Sequence, residues 1–229
     1  MIEKMHRTLR VGKLALKDFL ISIALFVMIT CFAFPLVHGG TSGLYYVIGS
    51  NNQGAANDYG VRATEQTVSV SVSSGSAVYS FATLIQADNH DFFATGFMQG
   101  TDYYGQLHSS PSYYVDRVLN GVYQIWIIGQ ANAGENHQYS VFTDSTGQSM
   151  TASIDGTIQH TENGYKAEAK QANGETETHN TADVMNHHLW GMQYRPLENR
   201  YYNFANDLYR VDSPYHQNVI SSTEWYATG

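Results

Sequence analysis

Few side chains in this sequence stand where they could do chemistry, and the first of them are carboxylates. Glu168 lies in Tyr165-Lys166-Ala167-Glu168-Ala169-Lys170, a stretch that predicts a short strand. A carboxyl on a sheet face is partly desolvated, which raises its pKa toward values useful to a general acid or base. The same spacing also allows an exposed Glu168 paired with Lys166 or Lys170. Asp88, Asn89 and Asp91 offer oxygen ligands of the kind calcium takes, and are equally ordinary turn formers. His179, His187 and His188 lie close in sequence. On a strand, however, His187 and His188 point to opposite faces and do not share one ion, so no metal site is expected.

Four tyrosine pairs, Tyr45-Tyr46, Tyr103-Tyr104, Tyr113-Tyr114 and Tyr201-Tyr202, place one ring inward and its neighbour outward on a sheet. Outward rings make a platform for a sugar or an extended peptide, and such pairs are also common β-sheet composition. Asp88, Tyr103, Tyr104, Tyr113 and Trp126 are expected to line the ligand site. The sequence contains no Gly-x-Ser-x-Gly elbow, His-Glu-x-x-His helix, phosphate loop or dinucleotide fingerprint. No cofactor is expected.

The elements that must position these residues read as strands. Ser80–Gly105 predicts a hairpin, with Phe81–Ala87 and Asp91–Gln99 joined through Asp88-Asn89-His90. Further strands are predicted at Leu44–Ile48, Thr67–Val72, Tyr113–Val118, Val122–Ile128, Gln138–Thr143, Ser149–Ile154, Tyr165–Lys170, His188–Tyr194, Arg200–Asn206 and Glu224–Tyr226. Thr67–Val72 alternates strictly, as a half-buried strand does. Gly49–Gly60 and Asn173–Asn180 read as polar loops. No helical period follows residue 40. The expected fold is all-β: an antiparallel two-sheet sandwich or concanavalin-like jelly roll, preceded by an apolar N-terminal helix.

That helix is Phe19–Val37, nineteen residues without a charge, preceded by Lys4, Arg7, Arg10, Lys13 and Lys17. A run of this length and flank reads as a signal peptide or signal anchor. Residues 1–39 are accordingly expected to be a targeting segment and residues 40–229 one exported domain, secreted or tethered through residues 19–37. The exported part carries seven basic and eighteen acidic side chains, a net of −11, which argues against nucleic-acid binding. The acidity reads as a solvated surface, or as a protein that works in acid. Cys31 is the one cysteine and lies in the apolar run, so no disulfide braces the domain. No Asn-x-Ser/Thr acceptor occurs after residue 40.

Several short motifs, in this order, resemble the glutamic peptidases, exported acid proteases with a lectin-like jelly-roll fold. Phe93-Ala94-Thr95-Gly96-Phe97, then Asp102-Tyr103-Tyr104-Gly105, resembles the family's Leu-Gln-Thr-Gly-Phe strand and the aromatic-Tyr-Gly stretch after it. Gly121 leads VYQIWII, Ser145-Thr146-Gly147-Gln148 resembles the family's Thr-Thr-Gly-Gln hairpin, and Ala167-Glu168 resembles its Ala-Glu strand. The likeness spans most of residues 78–194. It implies that Glu168 is the general base and acid. It also implies a glutamine amide as oxyanion donor, a position that falls on Ala94 without a gap and on Gln99 with a shift. Gln99 is taken as the donor. Ala94 and Gln99 face opposite sides of a regular strand, so only one register holds unless a bulge at Gly100 intervenes. The implied activity is cleavage of peptide bonds in acid. The sequence leaves two other readings: a non-catalytic sandwich that binds glycan or peptide, and a structural surface protein.

Overall fold

The computed structural model describes residues 44–51, 58–86, 91–167, 170–197, 200–205 and 207–229. The apolar run of residues 19–37 lies outside them, and no helix among the described residues is long and apolar enough to cross a membrane. Fifteen strands are described. In chain order they are β1 (Tyr45–Asn51), β2 (Gly60–Gln66), β3 (Ala77–Gln86), β4 (Phe92–Thr101), β5 (Leu107–Leu119), β6 (Val122–Gln130), β7 (Asn136–Thr143) and β8 (Ser149–Ile154). They continue with β9 (Thr157–Asn163), β10 (Lys170–Thr178), β11 (Asn186–Arg195), β12 (Tyr202–Asn203), β13 (Asp207–Val211), β14 (His216–Ser221) and β15 (Glu224–Thr228).

The strands form two antiparallel sheets. One runs β13-β1-β10-β3-β4-β5-β6 and the other β14-β15-β11-β2-β7-β8-β9, with β12 on β11. The interior lies between them. Ala82, Leu84, Phe93, Phe97, Val115 and Ala172 of the first sheet pack on Val61, Tyr139, Val141, Met150, Leu189 and Trp225 of the second. Each large apolar side chain buried in full contributes about 1.5–3 kcal/mol, so this layer holds the sandwich without a disulfide.

The predicted pair at the centre of the sheet is present: β3 and β4 lie antiparallel, Ile85 opposite Phe92 and Phe81 opposite Gly96. At that point they approach so closely that a Cβ on Gly96 would lie 1.9 Å from the carbonyl oxygen of Ser80. Only glycine fits there.

Two expectations reverse. Thr67–Val72 alternates but pairs with no strand. Its backbone is held by Glu135, Gly134 and the side chain of Gln99. Asn173–Asn180, read as a loop, belongs mostly to β10, which runs near the middle of the seven-stranded sheet between β1 and β3. Its alternation is written in polar letters: Ala172, Gly174 and Thr176 face the interior, while Asn173, Glu175 and Glu177 face outward. Hydrophobicity alone does not reveal such a strand. Of Tyr165–Lys170, residues 165–167 are irregular and Lys170 opens β10. Strands β2, β9, β13 and β14, also rich in polar residues, are not among the expected ones, and among the described residues of Arg200–Asn206 only Tyr202–Asn203 pairs as a strand.

Candidate active site

The outer face of the seven-stranded sheet carries its own cluster. Ala77, Tyr79, Phe81, Ala94, Met98, Tyr114 and Ile125 pack together there, with Phe92, Tyr103, Tyr123 and Ile127 against them. Carboxyls are set into this apolar face from two strands. On one side β10 presents Glu175 and Glu177. On the other, β5 presents Asp116, level with Ala94 on β4 and Ile125 on β6. The face owes its shape to small residues. Gly174 lets β10 pass Met192 of the opposite sheet, where a Cβ would come within 2.8 Å of the sulfur, and Ala94 and Gly96 add little bulk between the two carboxyl groups.

Glu175 is 4% exposed, and Asn173, two positions earlier on the same face, donates its amide to Oε1 at 2.8 Å. Burial pushes Glu175 up to about 7, with Glu177 adding to the rise while Asn173 and Arg210 oppose it. Arg210 reaches the margin of the cluster from β13 and lies over the Tyr46 ring at 4.8 Å. Burial also pushes Asp116 well above the usual carboxylate range, and the charges of Glu177 and Glu175 push the same way. The Tyr123 hydroxyl donates to Asp116 Oδ2 at 3.1 Å. Asp116 Oδ1 and the Tyr114 hydroxyl, both buried, have no hydrogen-bond partner. Phenols line the floor: Tyr79 meets Tyr114 edge to face at 5.4 Å, and Phe81 meets it at 6.4 Å.

The described residues among those expected from sequence fall on both faces of the seven-stranded sheet. Gln99 is on the interior-facing side of β4, beside a register shift between Met98 and Gly100. Its amide is committed at both ends: Oε1 accepts from the Val70 N–H at 3.0 Å and Nε2 donates to the Ser109 carbonyl at 3.0 Å. It braces the strand-like Thr67–Val72 segment from the interior-facing side of β4, away from the outer carboxyls. Ala94, in the register without a gap, is the position that faces the carboxyls. Glu168 and Asp88 lie outside the described residues.

Tyr103 joins the outer cluster through Tyr123, their ring centroids 4.7 Å apart, and Tyr104 stands exposed beside it at 5.4 Å. Tyr113 and Trp126 pack instead against the interior. Tyr113 bonds His137 at 2.7 Å, and Trp126 stacks on His160 at 4.0 Å. His187 is buried against Phe97, while His188 stacks on Tyr226 on the outer face of the other sheet. Among the described residues no group of three or more His, Cys, Asp or Glu is placed to hold a metal ion. Sequence reading missed Asn173, Glu175 and Asp116. The period-two spacing of Asn173, Glu175 and Glu177 was the available signal.

No protein-family model matches the chain, and no curated protein matches it by sequence. Solved structures do match. Scytalido-glutamic peptidase bound to a transition-state analog inhibitor superposes with a TM-score of 0.57 at 13% identity, over 82% of this chain and 98% of that one. SCP-B, a member of the eqolisin family in complex with the tripeptide Ala-Ile-His, gives 0.53 at 15% identity with the same coverage. The fold is that of the glutamic peptidases. At 13–15% identity the likeness to these peptidases is one of architecture, and the chemistry has to be argued from the side chains present.

Proposed function

We propose that the chain is a carboxyl-dependent hydrolase of peptide bonds, with Glu175 as general base and acid and Asn173 as the amide that orients it. The observation that carries this reading is the 2.8 Å Asn173–Glu175 pair on the outer, apolar-walled face of the seven-stranded sheet. An ionised Glu175 takes a proton from water as the water oxygen attacks the carbonyl carbon. The same proton then passes to the leaving nitrogen as the C–N bond breaks. The peptidase fold supports the substrate class. Residues 19–37 with their basic flank support an extracytoplasmic location, tested by fractionating cells that express the full chain.

The working pH follows from the site. A base must be ionised, and Glu175 loses its proton through about pH 7. The rate is therefore expected to climb toward neutrality, where the sequence had suggested acid.

Denatured casein incubated with the full chain from pH 3 to 9 tests the assignment. Cleavage by the wild type and by Glu168→Gln, with loss in Glu175→Gln, is the expected pattern. Cleavage by Glu175→Gln overturns the role given to Glu175, and loss only in Glu168→Gln moves that role to residue 168. A second reading, binding of an extended peptide without cleavage, is favoured by the methyl group of Ala94 where an amide would face the carboxyls. Casein that is retained by the chain but left intact at every pH would select it.

A further inference from the structure

We infer that Asp116 and Tyr114 form an oxyanion hole in which Asp116 acts as a neutral carboxylic acid, an inference that rests on the hydrolase reading above. Both side chains project from β5 onto the outer face, two positions apart, so they stand side by side. Asp116 Oδ1 and the Tyr114 hydroxyl are buried and have no partner. An unpartnered buried polar atom calls for an explanation, and here two stand side by side on the outer face. Beside them in register on β4 are Ala94, which carries only a methyl, and Gly96, whose side-chain position is closed by Ser80 and Phe81 of β3.

The proton on Asp116 follows from what faces it. Tyr123 on β6 donates to its other oxygen. Tyr114 on its own strand and Tyr79 on β3 are phenols, and Glu175 and Glu177 on β10 are carboxyls. Of its neighbours in the chain, Arg117 lies on the other side of β5, committed to Glu162 at 3.0 Å and to Gln124. Glu177 is itself paired with His179 at 3.5 Å, and burial beside these carboxyls disfavours an ionised Asp116, so the acid keeps its proton and presents an O–H. Ionised Asp accepts only, whereas protonated Asp beside Tyr supplies two donors to a developing negative charge.

In the reaction, water adds to the carbonyl carbon and gives its proton to Glu175. The oxygen that becomes negative accepts from Asp116 and Tyr114. The C–N bond then breaks with the proton of Glu175 going to nitrogen, and Asp116 keeps its own proton throughout. Tyr103, its ring tilted against that of Tyr123 at 4.7 Å, stands beside the pair of Asp116 and Tyr114.

Kinetics on the casein bond that the wild type cuts fastest test the assignment, with circular dichroism to confirm that each variant folds. Asp116→Leu is expected to lose about 10²–10³ in kcat, as removal of one such donor does, with KM little changed. Tyr114→Phe, which keeps the ring, is expected to lose kcat in the same direction. Asp116→Asn retains a donor. It is expected to stay within about tenfold of wild type and to lose the alkaline fall in rate that ionisation of Asp116 causes. An Asp116→Asn variant that folds and is as inactive as Asp116→Leu would show that a carboxylate is needed and overturn the inference, with the role of Glu175 untouched. Wild-type kcat in all three variants would overturn it as well. Absence of cleavage by the wild type at every pH would remove the hydrolase reading, and the oxyanion hole with it.

Discussion

Asn173 and Glu175 lie two positions apart on one strand and are joined by a 2.8 Å hydrogen bond from amide to carboxylate. The bond favours the ionised form of Glu175 against the burial that disfavours it. Asn173→Ala is therefore expected to raise the pKa of Glu175 above about 7. The ascending limb of the rate profile should move to higher pH, with the rate at pH 7 falling. A profile that keeps its position would show that the amide does not tune the carboxyl.

Gln99 is expected to matter for stability and not for turnover. Its two bonds hold the Val70 N–H and the Ser109 carbonyl, and Gln99→Ala leaves both without that partner. A loss of about 1–3 kcal/mol is expected, read from urea unfolding, with kcat per folded molecule unchanged. A folded variant with kcat lowered a hundredfold would return Gln99 to the reaction.

Glu65 gives the fold a stability that declines with pH. It faces the sandwich interior with neither oxygen bonded at good geometry, and burial pushes it up to about 8. Asp58, raised to about 7 by burial, and Glu175 behave alike. A carboxyl whose folded pKa is raised binds protons more tightly in the folded state. Its contribution is thus complete below the unfolded value, near 4, and is lost as pH rises through 7 to 8. The melting temperature should fall between pH 5 and 9, and Glu65→Gln should flatten that fall. Equal slopes for variant and wild type would contradict it.

His187 acts in the opposite sense. Burial lowers it to about 3. A histidine that must charge inside the fold stabilises above its unfolded value, near 6.5, and that stability drains away as pH drops toward 3. His187→Leu should remove much of the loss in melting temperature between pH 6 and 3. Melts that keep their acid-side decline would place its cause elsewhere.

Gly96→Ala should fail to fold or lose on the order of 4 kcal/mol or more, because the new methyl would meet backbone that cannot move aside. Thermal melting of the purified variant decides this, and a near-native melt would mean that β3 and β4 can part.

The strands legible in the sequence are those whose hydrophobic letters alternate or run together, such as Ala77–Gln86, Phe92–Thr101 and Val122–Gln130. The site was hidden by its own chemistry. β10 places glycine, alanine and threonine inward and carboxyls outward, so its composition is that of a loop, and only tertiary packing makes it a central strand. Thr67–Val72 errs the other way: its alternation is complete, but it pairs with no strand. Asp116 is an isolated acid between Val115 and Arg117, and nothing local distinguishes it. Its meaning comes from Ala94 and Glu177, which are distant in the chain and face it across the sheet.

Along β5 the residues of the two layers take turns, Tyr114 and Asp116 outward and Val115 inward. An insertion or deletion of one residue within that ladder would reverse the parity of everything beyond it. The paired donors would turn into the oily layer, and a valine would take their place. Evolution and engineering can therefore reshape this surface by exchanging side chains, while changes in chain length are confined to the turns at either end.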